Sequence, residues 1–157
     1  MKLKETAEII KGVHVVEGEK SERVKVYKEL SMVSLEPISF IDERKLIKIN
    51  SNGLVSNKHL TRTGDIVVSL YYPMIACYVE KGQGGYVVPH YMALIRMNSD
   101  AKIDSRFIVQ FINSARGRRA LSKRSRTFSQ SRPTSLPITI LEEVDLFKEV
   151  DSLISRL

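Results

Sequence analysis

The residues with the clearest chemical capacity are cations concentrated between positions 116 and 132. This stretch reads Arg-Gly-Arg-Arg-Ala-Leu-Ser-Lys-Arg-Ser-Arg-Thr-Phe-Ser-Gln-Ser-Arg and contains no Asp or Glu. Its seven cations equal the net charge of +7 that the whole 157-residue chain carries. Dense positive charge spaced by hydroxyl and amide groups favours binding to a polyanion, of which nucleic acid is the commonest. A solvated charged face without a partner is the alternative interpretation.

The positions of these cations predict two kinds of contact with DNA. Five of them surround a predicted helix end and suit the phosphate backbone; they are Arg116, Arg118, Arg119, Lys123 and Arg124. The polar loop that follows holds side chains able to reach base edges, arginine toward guanine and glutamine toward adenine. The candidates for this base readout are Arg126, Gln130 and Arg132.

A second, smaller basic patch lies in a polar loop at residues 56–62. It contains Lys58 and Arg62, with His59 between them. Both cations are candidates for DNA contacts, and a bystander role on the surface is an equally weighted alternative.

Residue patterns typical of catalysis are missing from the sequence. The histidines are scattered without metal-ligand spacing; they are His14, His59 and His90. A metal-dependent nuclease needs clustered carboxylates, and although Asp65 and Glu80 are near in sequence, Val79 occupies the position where the common nuclease core has an acid. No glycine-rich cofactor loop follows a first strand. We therefore expect no catalytic residue, no metal and no cofactor.

Composition indicates one cytoplasmic globular domain. The chain is 43% hydrophobic and 27% charged, which is ordinary for a globular protein. The single cysteine, Cys77, excludes an internal disulfide, and its apolar neighbours favour a buried structural thiol. Apolar runs are too short to cross a bilayer, and the amino terminus lacks a secretory signal.

Hydrophobic periodicity predicts an α+β fold. It has a central mixed or antiparallel β region, flanking helices and a C-terminal helix. Strands are predicted at residues 23–27, 31–35, 45–49, 66–70, 74–79, 92–97 and 136–140, and helices at 3–11, from 105 onward and at 141–157. In the helix from 105 onward, Ser105 is the predicted cap, and Gly117 is expected to end or bend it.

The predicted last helix carries an apolar seam. Leu146, Val150, Leu153 and Leu157 recur at spacings of four, three and four, as in a coiled coil. Two heptads are too few to be stable alone, so the seam must pack on its own domain or on a partner. We accordingly divide the chain into a DNA-binding domain at 1–140 and a helix at 141–157 for dimerisation or partner docking.

An ordered series of motifs resembles the target recognition domain of type I restriction–modification specificity subunits. Residues 60–69, Leu-Thr-Arg-Thr-Gly-Asp-Ile-Val-Val-Ser, resemble that family's Gly-Asp-Ile strand. A Phe-rich helix at 107–114, the basic segment at 116–121 and a polar loop at 127–131 follow in the family's order. The apolar-proline segment before a Glu-rich stretch at 135–143 and the opening at 2–12 are also similar to the family. A full specificity subunit has two such domains, so this chain resembles a single-domain, half-length version.

This resemblance implies sequence-specific recognition of double-stranded DNA without catalysis. Family members dock on a methyltransferase (modification) subunit, which methylates adenine, and on a separate restriction subunit. A single-domain version can reproduce the pair of recognition domains as a homodimer. The seam at 146–157 is then the candidate contact for the dimer or for the methyltransferase.

Three other functions compete with this interpretation. The first is a stand-alone regulator or antirestriction protein that binds the methyltransferase without sequence-specific DNA contacts. The second is an RNA-binding module, which usually presents aromatic side chains for stacking, whereas only Phe128 lies in the basic stretch. The third is a small nuclease, opposed by the missing carboxylate cluster.

Overall fold

A four-stranded antiparallel sheet forms the central layer of the protein in the computed structural model, which describes residues 1–18, 24–71, 74–124 and 136–145. In spatial order the strands are β1 (Ala7–Lys11), β6 (Met92–Met97), β4 (Ile66–Ser69) and β5 (Ala76–Tyr78). The whole Ile-Val-Val-Ser segment of β4 is buried, because further layers cover both faces of the sheet. The predicted central strand at 66–70 and the strand at 92–97 are confirmed.

Alternation along the strands sorts their side chains onto two faces. Ile66 and Val68 belong to one core cluster, which includes the helices. Val67 belongs to a second cluster, together with Leu30 and Tyr86 from the opposite layer. Successive residues of a strand point to opposite faces, so the register of β4 determines which layer each side chain meets.

In the part of the chain that the structure describes, three helices cover the first face. They are α1 (Ser105–Asn113), α2 (Ala115–Arg124) and α3 (Ile138–Glu142). The cap of α1 is Asp104, one residue before the predicted Ser105, and its carboxylate accepts from the Arg106 N–H. The apolar side of α1 is buried, with Ile108 and Ile112 at 1% and 2% exposure. No helix in these described stretches combines the length and apolar character that crossing a membrane requires.

The junction between α1 and α2 lies at Ser114, three residues before the glycine that the sequence indicated. Ser114 has an extended backbone, and its Oγ accepts from the Gly117 N–H at 3.0 Å, as an N-cap does. Gly117 lies inside α2, where a Cβ atom would stand 1.8 Å from the carbonyl oxygen of Phe111. The glycine is therefore required by the close approach of α2 to the end of α1.

The opposite face of the sheet carries a second, smaller layer. It includes a two-stranded antiparallel ribbon of β2 (Val24–Glu29) and β3 (Ile47–Asn52), hereafter the ribbon. Tyr27 and Ile49 are cross-strand partners and form a small core with Val87. The chain between the two strands packs against the sheet through Leu30, Leu35 and Ile41. The α+β class with antiparallel pairing is thus confirmed.

The amino-terminal residues hold the last described segment against the helix side. The Leu3 N–H donates to the Val144 carbonyl at 2.8 Å. Lys2 Nζ and Lys4 Nζ each lie 2.6 Å from an oxygen of Glu143. Leu141 and Val144 are buried in the helix-side core, so residues just beyond position 140 belong to the main core.

Three predicted elements are wrong. Residues 7–11 form β1 instead of a helix, because pairing with β6 buries Ala7 and Ile10 on opposite faces. The predicted strand at 31–35 is a short 3-10 turn, Met32–Ser34. Residues 138–142 are helical instead of extended: Pro137 is the N-cap residue, its carbonyl accepts from the Ile140 N–H at 3.0 Å, and the helix buries Leu141 in the core. The predicted helix at 141–157 is observed only to Glu142, and its residues 146–157 lie outside the described part of the chain.

Candidate nucleic-acid interface

The α2 helix presents the described part of the basic stretch. Arg119 is exposed, whereas Arg116 and Arg118 are partly buried. Leu121 is fully buried and anchors the helix in the core. The bounds of α2 include positions 123 and 124, but the side chains of Lys123 and Arg124 are outside the description, as are Arg126, Gln130 and Arg132 entirely. We call Arg116, Arg118 and Arg119 the α2 arginines.

Lys58 and Arg62, the second predicted patch, are both exposed. Lys58 is the middle residue of a short 3-10 turn, Asn57–His59, whose cap, Ser56, accepts from the Lys58 N–H. Its ammonium lies 3.5 Å from a carboxylate oxygen of Glu8, and both side chains are 57% exposed. Exposed ion pairs of this kind are weak, so Lys58 stays accessible to a polyanion.

A buried ion pair that sequence reasoning missed holds this segment in place. Arg96 on β6 and Asp65 before β4 have side-chain exposures of 14% and 4%. The guanidinium donates from Nε to Asp65 Oδ1 at 3.1 Å and from Nη2 to Asp65 Oδ2 at 2.8 Å. It also donates to the carbonyls of Leu60 and Lys58 at 2.9 and 3.4 Å. One signal was available: an arginine inside an apolar strand needs an acidic partner.

The sheet separates the two predicted patches. The α2 arginines lie in the helical layer, where Leu121 packs with Ile66 and Val68. The 58–62 segment lies in the opposite layer, where Leu60 packs against the core of the ribbon. Among the residues that can be placed, the predicted DNA contacts therefore form two surfaces on different sides of the molecule.

Both carboxylates considered for a nuclease are engaged with arginines. Asp65 pairs with Arg96 as described, and Glu80 lies 3.3 Å from Arg106 Nη2. The guanidinium of Arg106 also stacks 4.2 Å above the ring of Tyr78. Within the described stretches, no group of three His, Cys, Asp or Glu side chains could hold a metal ion. These contacts provide no support for metal-assisted cleavage.

Two histidines that the sequence left scattered come together in the fold. The rings of His14 and His90 are 6.0 Å apart, beside a cavity of about 460 Å³ that Glu29 also lines. Burial raises the pKa of Glu29, and the two histidines oppose that rise. The cavity is lined by two acids, Glu17 and Glu29, beside the two histidine rings, and is unlike a phosphate-binding surface.

Cys77 is a buried structural thiol, as its neighbours in sequence indicated. It is fully buried in β5, and its sulfur lies 3.4 Å from the Phe40 carbonyl oxygen. Burial raises the pKa of the thiol to about 12. Thiolate is the nucleophilic form of cysteine, so a catalytic role is disfavoured.

The fold has a counterpart among solved structures. A chain from a structural study of the complex assembly and conformational transition of the type I restriction–modification (R-M) system matches with a TM-score of 0.68. The sequences are 13% identical, and the match covers 99% of this chain but 40% of that one. No protein-family model and no curated protein matches the chain. At this identity the likeness shows a shared fold, and it agrees with the target-recognition-like α+β class that the motifs implied.

Proposed function

We propose that this chain recognises double-stranded DNA as a non-catalytic specificity component of a type I restriction–modification system. The observation that carries the proposal is the fold match over 99% of the chain with a component of such a system. The net charge of +7 and the basic stretch at 116–132 support a polyanionic partner. A fold alone does not determine function, so the charge distribution is the necessary second argument.

The α2 arginines and their neighbours in the basic stretch are the proposed phosphate contacts. α2 is anchored by the buried Leu121 and carries the exposed Arg119, so a rigid element presents charge to the solvent. Arg126, Gln130 and Arg132 remain proposed base contacts. Lys58 and Arg62 are proposed contacts on the other side of the sheet.

Chemistry is assigned to partner subunits in this proposal. A methyltransferase subunit would modify the DNA, and a restriction subunit would cleave it, while this chain would select the site. The arginine-paired Asp65 and Glu80 are consistent with such a division of labour. A homodimer, through the seam at Leu146, Val150, Leu153 and Leu157, would bring two recognition domains to one target.

A binding experiment with a fluorescent DNA duplex tests the proposal. If about four of the seven cations of the basic stretch meet phosphates, they should contribute about −3.6 to the slope of log affinity against log salt concentration. Co-purification with the methyltransferase subunit tests the partner directly. Docking without any affinity for DNA would favour the regulator alternative, and stronger binding of RNA than of DNA would favour an RNA-binding module. A chain that binds neither DNA nor the methyltransferase would refute the proposal.

A further inference from the structure

Among the described residues, one face of the ribbon is exposed and mostly polar. In the β3 strand, Ile49 and Ser51 are buried, whereas Lys48, Asn50 and Asn52 are exposed. The partner strand β2 places Val26 opposite Asn50 and Lys28 opposite Lys48. Lys28 is exposed, and Val26 is 54% exposed. The open face therefore carries two lysines, two asparagines and a valine, and we call it the ribbon face.

The lysines of the ribbon face are placed at a cost to the fold. Lys28 and Lys48 are directly opposite in the antiparallel register, and like charges at such positions repel. Neither forms an ion pair with any residue that the structure places, whereas Lys45 nearby is paired with Glu36 at 2.9 Å. A negatively charged partner on the ribbon face would attract both lysines and offset the repulsion between them.

The two asparagines of the ribbon face have side-chain amides that are available for hydrogen bonds to a partner. Asn50 and Asn52 occupy alternate positions of β3, so both side chains extend from the ribbon face. Neither side-chain amide bonds to another residue within the described stretches. In the major groove, an asparagine amide can make a bidentate contact with adenine. Its oxygen accepts from the N6 amino group, and its nitrogen donates to N7.

The dimensions of the ribbon fit the major groove of B-form DNA. That groove is about 12 Å wide and admits a two-stranded antiparallel ribbon. Two strands lie about 4.8 Å apart, and six residues extend for roughly 20 Å. The exposed side chain of Val26 offers an apolar contact of the kind that thymine methyl groups accept.

We propose that the ribbon face enters the major groove of double-stranded DNA. Asn50 and Asn52 meet base edges, and Lys28 and Lys48 neutralise phosphates at the rim of the groove. Lys58 and Arg62 lie in the same layer, since Leu60 packs on the core of the ribbon, and they extend the positive surface. This inference rests on the proposed function and assigns base readout to a surface that the basic stretch does not include.

The experiment compares charge-matched variants in fluorescence anisotropy with a fixed 20-base-pair duplex. Lys28→Gln with Lys48→Gln should reduce the magnitude of the salt slope by about 1.8, which corresponds to two lost phosphate contacts. Lys81→Gln with Lys102→Gln removes the same charge from two exposed positions elsewhere and should leave the slope near the wild-type value. Equal effects of the two double variants would overturn the inference, because they would reflect net charge alone.

Selection from a randomised duplex pool tests the asparagines. Asn50→Ala with Asn52→Ala should change the selected sequences, while affinity for an unselected duplex changes less than about twofold. An unchanged selected sequence would overturn the assignment of base readout. Circular dichroism spectra should coincide with that of the wild type, since all the substituted positions are exposed. The midpoint of urea unfolding should stay the same, or rise slightly for the Lys28 and Lys48 variant, in which the repulsion between the two lysines is removed.

A duplex RNA of the same sequence separates groove entry from general attraction to charge. Its major groove is too deep and narrow for side chains to read, so the RNA should compete at least tenfold more weakly than the DNA. Equal competition would overturn the groove assignment. If the wild type binds DNA and only Arg119→Gln weakens it, the ribbon inference fails and the proposed function stands. If the wild type does not bind duplex DNA, the proposed function itself fails.

Discussion

Arg96 and Asp65 form a two-pronged ion pair in which Nη2 and Nε of the guanidinium lie 2.8 and 3.1 Å from the two carboxylate oxygens. The pair connects the end of β6 to the turn before β4. Arg96 also donates to two carbonyls of the 58–62 segment, and Asp65 accepts from the Arg62 N–H at 2.9 Å. One buried pair therefore determines where the exposed cations Lys58 and Arg62 stand.

Removing one partner of this pair should destabilise the fold. Asp65→Ala leaves the Arg96 guanidinium buried without its acid, and we expect the free energy of unfolding to fall by about 3 kcal/mol. Urea denaturation followed by circular dichroism measures the change. Arg62→Ala removes an exposed side chain from the same segment, keeps the backbone bond to Asp65 and should change stability by less than about 0.5 kcal/mol. Equal stability of the two variants would show that the pair contributes little.

The close approach of α2 to α1 predicts intolerance at Gly117. Gly117→Ala would place a methyl group 1.8 Å from the Phe111 carbonyl oxygen, so α2 must shift and stability should fall by about 1–3 kcal/mol. If the α2 arginines contact phosphates, affinity for DNA should fall as well.

Gly84→Ala is the matched control for this substitution. There the added atom would make only an ordinary contact of 3.5 Å with the Thr61 carbonyl oxygen. Its melting temperature should stay within a few degrees of the wild type. A Gly117→Ala variant as stable as this control would contradict the packing of α2 on α1.

Strong local patterns predicted part of the fold. The β-branched run of β4 and the helical spacing of α1 are local features, and both elements are observed. The strand β1 was missed because its apolar residues lie on both faces, Ala7 on one and Ile10 on the other, so its sequence does not alternate. Residues 7–11 form a strand because they pair with β6, which lies more than 80 residues further along the chain; Ala7, for example, is opposite Met97. No local pattern in the sequence contains that information.

The candidate site likewise has features that a local pattern predicted and features that depend on contacts between distant segments. Charge density located the α2 arginines, because a run of cations is visible in one short window. The juxtaposition of Lys28 with Lys48 arises from the register of two strands separated by a long connection. The pairing of Asp65 with Arg96 likewise requires the sheet to be assembled. Contacts between distant segments therefore had to come from the structure.

The buried thiol provides a probe of folding. With the pKa of Cys77 raised to about 12 by burial, the native protein should react with a thiol reagent such as dithiobisnitrobenzoate only very slowly at pH 8. In denaturing urea the same cysteine should react within minutes, since burial no longer suppresses the thiolate. Absorbance of the released thionitrobenzoate measures both rates. Rapid reaction of the native protein would contradict the burial of β5.

Acid should loosen the attachment of the amino terminus. Hydrogen bonds from Lys2 and Lys4 lower the pKa of the Glu143 carboxyl from 4.5 to about 2. A lowered pKa stabilises the folded state above the unfolded value, so this contribution is complete above about pH 4.5 and is lost as the pH falls toward 2.

Amide exchange of Leu3 reports this attachment. Its N–H donates to the Val144 carbonyl next to Glu143, so its protection should decrease over that pH range after correction for intrinsic exchange. Glu143→Gln should reduce the protection of the Leu3 amide at neutral pH and flatten the pH dependence of that protection. Glu8→Gln removes an acid from an exposed ion pair on β1 and should change neither quantity. Constant protection in the wild type would contradict the role of Glu143.

Truncation distinguishes the partner-docking seam from the domain core. A chain ending after Asp145 lacks Leu146, Val150, Leu153 and Leu157 but keeps Leu141 and Val144, which are buried in the helix-side core. It should fold, with a midpoint of urea unfolding close to that of the full chain, and lose dimerisation or methyltransferase docking, measured by sedimentation velocity and co-purification. A chain ending after Ile140 also loses Leu141, Val144 and the Leu3 hydrogen bond, so it should unfold at a markedly lower urea concentration. If the chain ending after Asp145 still dimerises or binds the methyltransferase like the full chain, the seam is not the docking surface.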